Sequence, residues 1–107
     1  MNNEQFVEIV NARCDSIKAV LANKAKEYAA DDDRLHNFKR AALIGRTNPS
    51  RALFGMMNKH LVSVLDIFDD IDRGILPSEA MVDEKFGDLI NYLILELGVI
   101  AEMRTKE

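Results

Sequence analysis

The stretch Asp83-Glu84-Lys85-Phe86-Gly87-Asp88-Leu89-Ile90-Asn91-Tyr92-Leu93-Ile94-Leu95-Glu96 decides how the rest of the chain is read. Apolar residues fill most of it, as in a helix covered on much of its surface. Its first half nevertheless carries Glu84, Asp88 and Asn91. At about 100° per residue, steps of four and three place these side chains on one stripe. An acidic stripe on an apolar helix costs free energy unless it meets water, a cation or a partner. The stretch therefore predicts a long helix, an all-α fold and a candidate site on one helical face.

Outward from this stretch the apolar pattern continues through Leu97 and Ile100, so the last helix is expected from about Val82 to Arg104. Upstream, Gly74 and Leu76-Pro77-Ser78 mark a turn, and Ser78 is placed to start a helical turn ahead of that helix. The third helix is expected from Pro49 to about Asp72. Thr47 or Asn48 would cap it, and Pro49 sits in the first turn, where its missing N–H does no harm. Its apolar side reads Leu53, Met56, Met57, His60, Leu61, Val64, Leu65, Phe68 and Ile71. A short second helix is expected from Arg34 to about Ile44, with Asp33 as N-cap and Gly45 as the stop. The first helix is expected from about Asn3 to Tyr28, on the recurrence of Phe6, Ile9, Val10, Ile17, Val20, Leu21 and Tyr28, ending in Asp31-Asp32-Asp33. No period-two alternation suggests a strand. The expectation is one domain over residues 1–107, an antiparallel helical bundle of three long helices and one short helix. Because the last helix is apolar on two sides, packing as a homo-oligomer is expected as well.

Composition narrows the function classes. Of 107 residues, 48% are hydrophobic and 30% charged, which is a globular rather than a disordered balance. A net charge of -4, no Trp and 7% aromatics argue against a general nucleic-acid binder, so no direct DNA or RNA binding is expected. Cys14 is alone and reads as an inert packed thiol in a reducing compartment. The N-terminal residues lack a signal-peptide pattern and no apolar run reaches membrane-spanning length. A cytoplasmic protein with no membrane partner is expected.

Charge is segregated along the chain. Arg34 to Leu65 holds no acidic residue but includes Lys39, Arg40, Arg46, Arg51 and Lys59. Asp66 to Asp88 is mainly acidic. Carboxylates hold hard cations such as Mg²⁺, and Arg or Lys neutralise phosphate oxygens, so the two surfaces together suit a metal–polyphosphate ligand. Two solvated faces that attract each other would read the same way. Counting outward from Leu76 sets Asp70 level with Glu84 and Asp66 level with Asp88. On the third helix Lys59, Ser63, Asp66 and Asp70 share a stripe. If that stripe faces Glu84, Asp88 and Asn91, carboxylates converge between antiparallel helices and require a cation to relieve their repulsion. The candidate metal ligands are therefore Asp66, Asp69, Asp70, Glu84 and Asp88. Glu84 and Asp88 are the candidate catalytic pair, and Lys39, Arg40, Lys59 and Asn91 the candidate substrate contacts. Glu27 is weighed as a further ligand or a solvated helix-end charge. His36 and His60 read as structural histidines, and Glu96 as an interface or surface acid.

Four segments, Lys24–Tyr28, His36–Ala42, Gly55–Leu61 and Asp83–Leu93, together resemble small phage and prophage proteins of the nucleotide-modification-associated, MazG-like group. The wider group resembled is the all-α nucleoside triphosphate pyrophosphohydrolases. In that family two acidic motifs on antiparallel helices bind Mg²⁺, and a nucleoside triphosphate is cleaved to monophosphate and pyrophosphate. The second motif falls here on Glu84 and Asp88, at a spacing of four rather than three. The first has no Glu pair, and Asp66-x-x-Asp69 is the nearest candidate. The resemblance implies a nucleotide-binding protein with Mg²⁺ as cofactor, with or without hydrolysis. The rival reading is a non-enzymatic oligomeric helical interaction module or regulator.

Overall fold

The structure is a computed structural model that describes residues 1–23 and 33–105. Residues 24–32 carry the expected end of the first helix, Glu27, Tyr28 and most of the Asp run, and these lie outside the described residues. The chain divides into two compact units, Met1–Arg34 and Leu35–Glu107. Among the described residues the regular elements are all helical. None of the helices is long and apolar enough to cross a membrane.

In the first unit, helix α1 spans Asn3–Ile17 and passes into π-helical turns over Lys18–Asn23. Its start is a capping box. The Asn2 side chain accepts from the Gln5 N–H at 2.8 Å, and the Gln5 side chain accepts from the Asn2 N–H at 2.8 Å. Two otherwise orphaned donors are thereby satisfied. No residue of α1 is buried, and Phe6, Ile9 and Val10 are exposed. Cys14 is also exposed, which corrects the expectation of a packed thiol.

In the second unit, α2 spans His36–Gly45, α3 Pro49–Asp72 and α4 Glu79–Thr105. The start of α2 falls later than expected. Leu35, not Asp33, is the N-cap, and it makes no side-chain cap bond. Leu35 packs against the core, and its carbonyl accepts from Phe38 and Lys39 N–H at 3.1 and 3.2 Å, so the helix is wound from that residue. Helix α3 begins as its sequence signal requires. The Asn48 side chain accepts from the Arg51 N–H at 2.8 Å, and Pro49 takes the first position. It ends in a Schellman motif. Gly74 has φ 80°, its N–H donates to the Ile71 carbonyl at 2.9 Å, and the Ile75 N–H reaches the Asp70 carbonyl at 2.9 Å. The turn anticipated at Ser78 joins the last helix without a break, because Ser78 Oγ accepts from the Met81 N–H at 3.2 Å.

The core is small. Phe38, Leu53 and Val99 form its centre, one from each helix, with Leu35, Met56, Met57, Tyr92 and Leu95 packed around them. Ala42, Val64 and Ile67 are also buried. Polar contacts cross between helices at its rim. Ser50 Oγ donates to Glu96, and Lys39 pairs with Glu102. Of the two readings of Glu96, interface or surface acid, the surface one is corrected: it is a half-buried acceptor between α3 and α4. Phe68 and Phe86 meet edge to face at 6.1 Å near the turn, while Ser50 and Glu96 meet far from it, so α3 and α4 run antiparallel.

Candidate functional site

Burial of Val64 and Ile67 sets which side of α3 faces α4. That rotation brings His60 onto α4. Its Nδ1 lies 3.6 Å from Asp88 Oδ2, within ion-pair range but beyond a hydrogen bond. Its ring lies 4.8 Å from that of Tyr92, tilted by 31°. Asp88 and Tyr92 are one helical turn apart, so a single ring from α3 covers both. The side chain of His60 is 18% exposed and that of Asp88 42%, which leaves the carboxylate open to solvent.

Asn91 sits beside them on α4, half-buried. Its Oδ1 is buried and has no hydrogen-bond partner among the described residues. Most buried polar atoms in folded proteins are paired, and an unpaired one costs roughly 1–3 kcal/mol. Glu84, one turn before Asp88, is 64% exposed and lies 3.6 Å from Lys85 Nζ. The stripe of Glu84, Asp88 and Asn91 expected from spacing is therefore a graded surface, open at Glu84 and closed at Asn91.

The remaining expected residues are not gathered there. Among the described residues, no three His, Cys, Asp or Glu side chains form a group that could hold a metal ion. Asp66 and Asp69 are exposed, and Asp70 is engaged by Arg73 at 2.5 Å. The opposing stripe lies at the edge of the helix pair: Lys59 and Asp66 point to solvent, whereas Ser63 and Asp70 are half-buried. Lys39 is held by Glu102, fourteen residues beyond Asp88, which is roughly 20 Å along α4 at the helical rise. Arg40 is exposed beside it. Lys39 and Arg40 thus belong to the other end of the helix pair from Glu84 and Asp88. Lys59 does not, because it immediately precedes His60.

His60 and Tyr92 are the residues that the sequence reading left out of the site. The available signal was His60 itself, a polar residue within an apolar stripe; the count from Leu76 set Asp66 level with Asp88, whereas His60, six residues earlier, is the α3 residue that meets it. No family model, curated protein or solved structure is detectably similar to the chain.

Proposed function

We propose that the α3–α4 seam at His60, Asp88, Asn91 and Tyr92 binds a nucleotide as its Mg²⁺ complex, as in a MazG-like nucleotide-binding protein. The observation that carries this reading is the buried, unpartnered Oδ1 of Asn91. It is an acceptor without a donor among the described residues, and a base amino group or a ligand-bound water would satisfy it where the seam opens around it. Beside it, Asp88 and Glu84 present carboxylates one turn apart, both substantially exposed. Mg²⁺ commonly uses one or two protein carboxylates together with phosphate oxygens and waters, so this pair suffices without a third acid. When bound, the ion would neutralise phosphate charge and polarise a phosphoryl group. Lys59, exposed on α3 one residue before His60, would meet phosphate, and the His60 ring would border the ligand beside Asp88.

Thermal shift with Mg²⁺ alone, deoxynucleoside triphosphates alone and both together tests the reading. The combination is expected to raise the melting temperature by several degrees in the natural chain and not in Asp88→Ala. No shift with any member of a panel of common and modified nucleotides overturns it and favours the interaction module. Pyrophosphate release in the same panel separates hydrolysis from binding.

A further inference from the structure

The two long helices of the second unit carry an apolar face that α2 does not cover. On α3 it comprises Phe54, Leu65 and Phe68, which are 41%, 52% and 52% exposed. On α4 it comprises Leu93, Leu97 and Ile100, at 50%, 67% and 38%. Within each helix these positions recur at heptad-like spacing, so each set forms one stripe. The stripes adjoin. Phe68 contacts Phe86 at one end, and Phe54 and Ile100 line a common groove at the other. The six side chains expose roughly 600 Å², at the upper limit of what a monomer leaves bare in one patch and near the share of one partner in a standard interface.

Charges at the ends of this face identify what covers it. The α3 stripe begins at Arg51 and ends at Asp72, and the α4 stripe begins at Glu79 and ends at Arg104. Since the helices are antiparallel, both arginines lie at one end of the face and both acids at the other. All four are exposed, and none has an oppositely charged partner among the described residues. Arg51 instead lies over the Phe54 ring at 5.6 Å, at the margin of the apolar face. The helix dipole accounts for Glu79 at an N-terminus and Arg104 at a C-terminus, but it opposes Arg51 and Asp72. A two-fold rotation about an axis that lies in the plane of the face, perpendicular to the helices, turns one face onto the other and sets the basic end of one copy on the acidic end of the second.

We infer that this face is an isologous dimer interface, in which Arg51 and Arg104 of one protomer meet the acidic end of the second copy around a four-helix apolar core. The interface needs no nucleotide, and it is independent of the seam at Asn91.

Sedimentation equilibrium of the full chain at tens of micromolar tests it. The natural chain is expected to be a dimer that weakens with salt. The double variant Arg51→Glu/Arg104→Glu is expected to weaken dimerisation at least tenfold. Adding Asp72→Arg/Glu79→Arg to it is expected to restore the dimer, because the fully reversed face is again self-complementary. Circular dichroism of each variant checks that the helices persist. A monomeric natural chain overturns the proposal, whether its face is bare or closed by its own α1. So does a dimer that neither charge pattern affects.

Discussion

Asn91 and Asp88 separate ligand binding from folding at the level of single side chains. The buried Oδ1 of Asn91 has no donor among the described residues, which leaves its desolvation cost uncompensated. Asn91→Leu replaces it with an apolar group of similar size. The melting temperature is expected to rise by a few degrees, corresponding to about 1 kcal/mol, while nucleotide-dependent stabilisation disappears. A fall in melting temperature would show that the amide is needed for packing. Asp88 makes the converse case. Its contact with His60 is 3.6 Å long and partly exposed, and such pairs contribute about 0–1 kcal/mol. Asp88→Ala should therefore leave thermal unfolding within a few degrees of the natural chain and abolish the Mg²⁺-dependent part of the shift. Loss of helical signal at room temperature in this variant would sink the assignment of Asp88 to a ligand. The polar stripe was legible because spacing alone places Glu84, Asp88 and Asn91 together. What faces it was not, because that depends on helix rotation and on the register of the pair, in which His60 and not Asp66 stands against Asp88. The rows headed by Lys59 and by His60 are adjacent on α3, and burial of Val64 and Ile67 selects the second.

Among the helices, boundaries were legible wherever a cap is made by the residue that announces it. Asn48-Pro49 and Gly74 are such places, and both ends of α3 fall as the sequence indicates. The start of α2 was not legible, because a tertiary contact of Leu35 outweighs the capping preference of Asp33. Its end is instructive too. Gly45 was expected to stop the helix, and it is the last helical residue, but the left-handed conformation falls on Arg46, at φ 54°. The Thr47 N–H then reaches the Ala42 carbonyl at 2.9 Å, closing a Schellman turn one residue later than the glycine would suggest. A left-handed conformation costs a side-chain-bearing residue about 1 kcal/mol relative to glycine. Arg46→Gly is therefore expected to raise the melting temperature by several degrees with no change in helical content. An unchanged or lower value in a thermal denaturation series would show that the Arg46 side chain contributes more than its backbone strain costs.

Across the whole molecule, the all-α architecture was readable from periodicity, but the economy of its core was not. Few apolar side chains among the described residues are buried, and the bare face on α3 and α4 displays more large residues than the Phe38, Leu53 and Val99 centre holds. Periodicity predicts that the last helix is apolar on two sides without saying which side meets α2 and which remains free. That depends on where Phe38, Leu53 and Val99 come together. A small core implies that stability of the second unit is coupled to whatever covers its free face. If a second copy does so, folding and association are linked by mass action, and a hundredfold rise in protein concentration adds roughly 2.7 kcal/mol to the apparent stability. Unfolding followed from about 1 to 100 μM should then show a melting temperature that climbs by several degrees. Salt should lower it, since the end charges oppose one another across the interface at short range. Arg51→Glu/Arg104→Glu should flatten the concentration dependence over this range. A melting temperature independent of concentration in the natural chain would mean that the small core suffices by itself, and the dimer would lose its thermodynamic basis.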